Sequence, residues 1–187
     1  MNNKMDLNKA LEQHNETFSA LTSMQVEIEQ ACTLIATTLE KGRTIFICGN
    51  GGSASDAQHF AAELTGRFEQ NRRGYAAIAL TTDTSALTAI ANDYGFERVF
   101  ARQLESLGRS GDLLIALSTS GNSENILQTV SQAKEMDIKV IGLSGKTGGE
   151  LKSRVDCSMV VSATRTSRIQ EAHIFLLHYF CEQFEPG

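Results

Sequence analysis

The sequence lacks several features that mark membrane and secreted proteins. It has no tryptophan, only one proline, Pro186, and no apolar run near the roughly 20 residues that cross a bilayer. The first nine residues contain no apolar segment of the kind found in secretory signals. Low-complexity segments are also absent. We therefore expect no signal peptide and no membrane partner.

The cysteines are few and scattered, which argues against a disulfide framework. Cys32, Cys48, Cys157 and Cys181 form no Cys-x-x-Cys pair. Cys48 and Cys181 also lie in apolar stretches. This pattern is typical of reduced thiols, so we expect a cytoplasmic protein.

Basic charge is not in excess, and this excludes a typical nucleic-acid-binding protein. The 17 lysines and arginines are outnumbered by 22 acidic residues, which gives a net charge of −5. The length of 187 residues and the 41% hydrophobic content suit one globular domain with a helical extension. Such an acidic protein must bind an anionic ligand through local donors, since its overall field is repulsive.

Residues 6–41 have the apolar period of a helix, with hydrophobic side chains at steps of three and four. Lys41 and Gly42 provide a typical helix end. Because the stretch is long for one helix, a break is predicted near Thr22-Ser23. Its apolar stripe needs a partner, and two alternatives stay open: packing on its own domain, or a helical bundle with other copies of the chain.

After residue 41, short apolar runs alternate with amphipathic stretches. This alternation predicts an α/β fold, in which a five-stranded parallel sheet lies between helices in a three-layer αβα sandwich. Ligands of such sheets bind at the carboxyl ends of the strands. Strands are predicted at 44–48, 76–80, 113–117, 140–143 and 158–161, helices at 54–65, 85–91, 97–107, 123–136 and 167–184, and a loop at 145–149.

Two polar loops follow predicted strands and are candidate ligand sites. Gly49-Asn-Gly-Gly-Ser53 matches neither the dinucleotide nor the P-loop spacing, but it combines glycines with side-chain donors at a helix start. The alternative is a plain turn. Ser118-Thr-Ser-Gly-Asn-Ser123 offers four hydroxyl groups before a helix, which favours a phosphate. Here the alternative is that Ser120 or Asn122 simply caps that helix.

Several other side chains are candidates for metal binding or acid–base chemistry. His59 and Glu63 are four residues apart and share one helical face. Gln170 and His178 lie on the last helix, where Ser167-x-x-Gln170 also fits a capping box and a lone histidine is usually structural. Asn92-Asp93 is typical of a turn and also suits sugar hydroxyls.

The spacing of Gln170 and His178 limits how they can act together. Eight residues separate them by about 12 Å along a helix. One ion with bonds near 2 Å cannot easily contact both from the same helix. If both serve one site, we predict that different subunits supply them.

The sequence resembles the sugar isomerase (SIS) domain family, and within it the phosphoheptose isomerases, over about residues 35–185. Single loops would be weak signals, but several motifs occur in the right order. The domain would then be 41–187, with residues 1–40 as a helical extension for oligomerisation. The motifs lie at residues 48–53, 58–67, 92–93, 118–123 and 168–171.

The resemblance implies an aldose–ketose isomerase that converts sedoheptulose 7-phosphate to D-glycero-D-manno-heptose 7-phosphate through an enediol. The product would feed heptose synthesis for lipopolysaccharide or another surface polysaccharide. The family is tetrameric, with active sites at subunit interfaces and the N-terminal helices in the assembly core. We therefore expect a homotetramer that binds a phosphorylated heptose.

The resemblance also assigns roles to individual residues. Glu63 would be the catalytic base and His178 the catalytic acid. One Zn²⁺ per subunit would bind His59, Glu63, Gln170 and His178. Substrate would contact Asn50, Gly51, Gly52, Ser53, Glu63, Arg67, Asn92, Asp93, Ser118, Thr119, Ser120, Ser123 and Gln170, and Arg67, one turn after Glu63, would reach substrate or orient Glu63.

A second function class competes with the enzyme. One relative within the family is a non-enzymatic regulator that binds the replication initiator; it lacks the counterparts of Glu63 and His178 and has arginine in place of Ser120. This chain has all three residues, which favours the enzyme. Some family members carry an acidic residue at the position of Ser167, so no catalytic role is assigned there. Isomerisation of another phosphosugar is a weaker alternative.

Overall fold

A computed structural model describes residues 6–185 and shows one parallel sheet of five strands. The strands lie in the spatial order β2-β1-β3-β4-β5, and every neighbouring pair is parallel. Each is found within two residues of its predicted bounds, because each is a short apolar run that the sheet buries. The strands are β1 Ile45–Cys48, β2 Ala77–Ala79, β3 Leu113–Ser118, β4 Lys139–Gly145 and β5 Cys157–Val161.

Within residues 6–185, eight α-helices surround the sheet. A short 3-10 turn, Leu21–Met24, separates the first two, which confirms the predicted break near Thr22-Ser23. Gly42 takes a positive φ of 63° just after the second helix, as a helix end requires. The helices are α1 Leu7–Ala20, α2 Gln25–Glu40, α3 Gly52–Thr65, α4 Thr84–Tyr94, α5 Ala101–Leu107, α6 Glu124–Glu135, α7 Leu151–Arg154 and α8 Thr166–Gln183.

Alternate residues of β1, β3 and β4 enter two separate cores. Ile45 and Ile47 face the core formed with α2, α3 and α8, whereas Phe46 and Cys48 face the core formed with α5 and α6. All four side chains are almost completely buried. The sheet is thus covered on both faces, which confirms the three-layer αβα sandwich.

The N-terminal helices pack on their own chain. Ala31 and Ile35 of α2 are fully buried in the sheet core. On α1, His14 Nδ1 lies 2.9 Å from Glu171 Oε2 of α8, while Leu7 and Leu11 stay largely exposed. Packing of α2 on its own domain is therefore the observed arrangement. The domain boundary at residue 41 stays a prediction.

Three local predictions were wrong. Asn92-Asp93 lies inside α4 and not in a turn, because α4 continues to Tyr94. The capping box at Ser167 does not form, since α8 begins at Thr166 and its N-cap, Arg165, makes no side-chain capping bond. The short helix α7 was missed after the predicted loop at 145–149, whose first residue ends β4.

Three remaining points concern the membrane, the C-terminal end of the chain and the start of α4. No helix within residues 6–185 is both long and apolar enough to cross a bilayer. Pro186 lies outside the described residues. Asp83 is the N-cap of α4, and its carboxylate accepts a hydrogen bond of 2.9 Å from the Ala86 amide.

Candidate functional site

The two predicted ligand loops meet at the point where the chain changes direction across the sheet. β1 has β2 on one side and β3 on the other, so the connections leave in opposite directions and open a crevice. Loop 49–53 follows β1, and loop 118–123 begins at the last residue of β3. Parallel pairing of Cys48 with Ala116 places both loops at the same edge.

A pair of amide side chains joins the two halves of this crevice. Asn50 Nδ2 donates to Asn125 Oδ1, and Asn125 Nδ2 donates back to Asn50 Oδ1, both at 2.8 Å. Asn125 is buried in the first turn of α6. Sequence reasoning singled out Asn50 for substrate and missed Asn125, because the two residues are far apart in the chain. The pair holds the loop at residues 49–53, called here the glycine loop, against the loop at residues 118–123, called the serine loop.

The glycine loop leads directly into α3. Gly51 is the N-cap and has a positive φ of 58°, a conformation that favours glycine. Gly52 lies against α8, since a Cβ atom there would come within 2.5 Å of Gln170 Nε2. Ser53 is only 3% exposed and therefore lies beneath the loop surface. The structure thus brings Gly52 and Gln170 together.

The serine loop keeps its hydroxyl groups within the loop. Ser118 Oγ donates to Ser123 Oγ at 3.1 Å and accepts from the Gly121 amide at 3.2 Å. Ser120 Oγ accepts from the Asn122 amide at 3.1 Å. The alternative that Ser120 or Asn122 caps α6 is wrong, because the N-cap is Ser123 and its side chain makes no capping bond. The first amides of α6 therefore face the loop without a side-chain cap.

A neighbouring loop braces the serine loop. Gly121 has a positive φ of 69°, and a Cβ atom there would lie 1.9 Å from the Gly148 carbonyl oxygen. Asn122 Oδ1 accepts from the Glu150 amide at 2.9 Å, and the Leu151 amide donates to the Gly121 carbonyl. The segment before α7 thus supports the serine loop. The sequence did not reveal this role.

The histidine and glutamate candidates meet further along α3, where it packs against α8. His59 Nε2 lies 2.8 Å from His178 Nε2 and 3.4 Å from Glu63 Oε1. The Phe68 ring lies 5.7 Å from the His178 ring and covers it. The Glu63 side chain is 22% exposed and that of His59 is 46% exposed, so the group is open to a ligand.

Parallel packing of α3 and α8 explains this convergence and leaves Gln170 apart from it. Gly52 contacts Gln170 near the start of both helices, and His59 contacts His178 further along. The two contacts are separated by about 10 to 12 Å along the helix axes. His178 therefore joins His59 and Glu63 within one chain, whereas Gln170 lies about two turns away.

The side chains of His59, Glu63 and His178 suit zinc, although they are not already arranged as a metal site. No three His, Cys, Asp or Glu side chains within residues 6–185 are arranged as a finished metal site. His59, Glu63 and His178 nevertheless offer two imidazole nitrogens and a carboxylate, the ligands that zinc prefers. Two nitrogens on a tetrahedral zinc lie roughly 3.3 Å apart, so the 2.8 Å contact of His59 and His178 would need to open slightly.

A carboxyl group that sequence reasoning did not select lies next to this group. Asp56 is on α3, one turn before His59, and its Oδ2 atom is buried without a hydrogen-bond partner among residues 6–185. Burial raises the pKa of Asp56 to about 6, and the nearby His59 opposes that rise. Its only sequence signal is its position, three residues before one candidate ligand and seven before another.

An arginine that the sequence did not single out, Arg72, holds the end of α3. Arg67 does not lie on α3 as predicted, because the helix ends at Thr65. Arg72 instead reaches back to α3, where it donates to the Glu63 carbonyl at 2.9 Å and the Leu64 carbonyl at 3.0 Å. Arg72 thus fixes the backbone that carries Glu63.

Asn92 and Asp93 remain candidates by residue type alone. Both are exposed in the last turn of α4, where Asn92 Nδ2 donates to Asp93 Oδ1 at 2.8 Å. Neither side chain makes a hydrogen bond to the two loops within the described part of the chain. They stay predicted substrate contacts.

The chain is similar to known proteins in both sequence and fold. Residues 11–145 match the SIS domain family. A phosphoheptose isomerase from Campylobacter concisus is 54% identical over 184 residues, which cover 98% of this chain and 97% of that protein. The fold also matches a solved phosphoheptose isomerase from Neisseria gonorrhoeae, with a TM-score of 0.85 and 45% identity over 95% of this chain and 97% of the other.

A second solved structure agrees with the first. A phosphoheptose isomerase from Francisella tularensis matches with a TM-score of 0.88 and 36% identity, over 96% of this chain and 98% of the other. Both the sequence and the fold are thus shared over nearly their whole length. The chain therefore belongs to the SIS domain family and, within it, to the phosphoheptose isomerases, which are isomerase enzymes.

Proposed function

We propose that this chain converts sedoheptulose 7-phosphate to D-glycero-D-manno-heptose 7-phosphate. The observation that carries the proposal is the meeting of His59, Glu63 and His178 beside a polar crevice. The names of its relatives support the same reaction class. Further along the pathway, the product would supply heptose for lipopolysaccharide or another surface polysaccharide.

The chemistry needs one base and one acid. Glu63 removes a proton from C1 of the ketose while His178 gives a proton to the carbonyl oxygen at C2, which forms an enediol. Glu63 then returns its proton to C2, and His178 takes back the proton of the C1 hydroxyl group. The aldose is released with both side chains in their starting protonation states.

Zinc would bind His59, Glu63, Gln170 and His178. When bound, it would supply a Lewis acid that polarises the substrate oxygens. Because Gln170 lies about two helical turns from the other three ligands, we propose that a neighbouring subunit donates it. The site would then be complete only in an oligomer, which we take to be a homotetramer.

The two loops at the crevice would hold the rest of the substrate. Phosphate would bind the hydroxyl groups and the free amides at the start of α6, where the helix dipole favours an anion. The sugar would lie along the glycine loop. This binding far from the reacting carbons would orient the substrate and lower the barrier through position. Phosphate contacts are Ser118, Thr119, Ser120 and Ser123, and sugar contacts are Asn50, Gly51, Gly52, Ser53, Arg67, Asn92 and Asp93.

The first test replaces the proposed base. Glu63→Gln keeps the side-chain shape but cannot take a proton, so we expect kcat to fall by at least about 100-fold. Turnover of sedoheptulose 7-phosphate by the zinc-supplied protein is measured, with Glu135→Gln, an exposed change on α6, as the matched control. Full activity of Glu63→Gln would refute its role. Substrate binding without turnover in the unmodified protein would favour the non-catalytic regulator. Full activity after treatment with a chelator would refute the proposed role of zinc.

A further inference from the structure

A second cleft opens at the carboxyl ends of β4 and β5, beside the N-terminal helix. It has a volume of about 660 Å³ and is called here the α1–α8 cleft. Its walls are α1, the segments that follow β4 and β5, and the first turn of α8. Its described lining residues are all different from the predicted zinc and substrate contacts. Parallel sheets bind ligands at this edge, so the cleft is a candidate for a second site.

Positive charge is concentrated in the α1–α8 cleft, although the whole chain has a net charge of −5. Lys146, Arg165 and Arg168 line it, and Glu16 is the one acidic residue among its described lining residues. Arg168 is ion-paired with Glu171. The exposed Lys146 ammonium group makes no ion pair or hydrogen bond within residues 6–185. The cleft thus has the local cationic donors that an acidic protein needs in order to bind an anion.

The backbone of Lys146 adopts a conformation that favours glycine. Its φ of 58° lies in the left-handed region, which lysine rarely adopts and glycine adopts without strain. The same loop has glycine at two other positive-φ positions, Gly148 and Gly149. Strained residues of this kind are common at ligand-binding sites. The side chain of Lys146 therefore has a use that the stability of the loop does not explain.

The other lining groups suit a ligand that carries hydroxyl groups. Thr17, Thr147, Ser162 and Thr164 line the cleft, and Gln13 Oε1 is buried without a hydrogen-bond partner among residues 6–185. Hydroxyl and carboxamide groups pair with the hydroxyl groups of a polyol, whereas lysine and arginine pair with phosphate. No aromatic side chain is among the described lining residues, so a nucleobase would have no ring on which to stack.

We propose that the α1–α8 cleft binds a small phosphorylated polyol at a site separate from the crevice between the glycine and serine loops. The phosphate group pairs with Lys146 and Arg165. The polyol hydroxyl groups bind Gln13 and the threonine hydroxyl groups of the cleft. This inference does not depend on the proposed function, because it uses none of the zinc or substrate contacts.

Removal of the Lys146 charge tests the site. The probe is sorbitol 6-phosphate, which has no carbonyl group and is not isomerised, and binding is measured by isothermal titration calorimetry. Lys146→Gln should weaken one site per chain by at least about tenfold, because it removes a charged donor to the phosphate. The matched control is Lys152→Gln, an exposed change of the same charge on α7 outside the cleft. Equal effects of the two changes would refute the proposal.

Lys146→Gly separates binding from a structural role of the lysine. Glycine relieves the positive φ, so the urea midpoint should stay the same or rise while the site is lost. A fall in the urea midpoint together with the loss of binding would show that Lys146 supports the fold, and the proposal would then fail.

The chemical class of the ligand is tested with two simpler probes. Inorganic phosphate lacks the polyol and sorbitol lacks the phosphate, so each should bind the cleft at least about tenfold more weakly than sorbitol 6-phosphate. Equal affinity for inorganic phosphate would refute the polyol contacts. Equal affinity for sorbitol would refute the anion site.

A change in the serine loop keeps the two phosphate sites apart. Ser120→Asp places a carboxylate in that loop and should repel phosphate there. The site that remains should disappear when Lys146→Gln is added, and a Ser120→Asp protein that folds but binds no probe would overturn the proposal. If the serine loop binds no phosphate, the proposed function fails, yet the unmodified protein should still have one site that Lys146→Gln removes.

Discussion

His173 shows how one enclosed side chain makes the fold sensitive to pH. It lies in the middle of α8 with no exposed surface, and its Nε2–H donates to the Ser144 carbonyl oxygen at 3.1 Å. Its Nδ1 atom has no partner among the described residues. Burial lowers the pKa of His173 to about 4, because the charged imidazolium would lose its hydration.

The folded protein should therefore lose stability as the pH falls from about 6.5 toward 4. The unfolded chain takes up a proton on this histidine near pH 6.5 and the folded chain only near pH 4, so acid favours unfolding. Between pH 7.5 and 4.5 this residue alone should remove roughly 2 to 3 kcal/mol from the free energy of unfolding. Urea titrations of the unmodified protein and of His173→Gln, which does not titrate, measure the difference. Equal pH dependence in both would contradict the assignment.

The candidate residues were predictable where they are close in sequence. His59 and Glu63 are four residues apart, so a helix is enough to pair them. His178 joins them only because α3 and α8 pack in parallel, and that contact spans 119 residues. Asn125 escaped notice for the same reason, since its partner Asn50 is 75 residues away.

At the scale of the element, the C-terminus of α3 depends on Arg72. The guanidinium donates to the Glu63 and Leu64 carbonyl groups and lies 4.4 Å from the centre of the Tyr75 ring. It also lies 3.5 Å from Glu185, and both side chains are at most 10% exposed. These contacts satisfy carbonyl groups that a helix end leaves without intrahelical partners.

Arg72→Ala should therefore loosen the turn that carries Glu63. It removes two hydrogen bonds and leaves Glu185 buried without its cation, so we expect a loss of about 3 kcal/mol in the free energy of unfolding. Urea denaturation measures the loss, and kcat should fall as well because Glu63 is no longer held. Arg73→Ala, at the exposed neighbouring position, should change stability by less than about 0.5 kcal/mol. Equal effects of the two changes would show that Arg72 does not support α3.

The main elements follow from local patterns, and the exceptions have local causes. All five strands are short apolar runs, so their positions were predicted within two residues. α7 was missed because four residues are too few for a period to show. Asn92-Asp93 was wrongly assigned to a turn, because helix α4 continues through both residues to Tyr94 although Asn and Asp are common in turns.

At the scale of the whole molecule, α1 presents apolar side chains that the rest of residues 6–185 does not cover. Leu7 is 71% exposed and Leu11 is 50% exposed, and the two are neighbours on one face of the helix. On α8, Phe175 is 45% exposed and lies beside Phe18 of α1. Exposed apolar surface of this kind is typical of an interface between subunits.

Leu11→Glu should therefore weaken the proposed tetramer and, with it, the activity. A charge on this face opposes burial against another copy, and loss of the neighbour would remove the Gln170 that we assign to the shared zinc site. Sedimentation velocity measures the mass, and turnover is followed over the same range of concentration. Leu107→Glu is the matched control, because Leu107 is also 50% exposed but ends α5 on the opposite layer. An active monomer would refute the shared site, since no single chain brings Gln170 to His59 and His178.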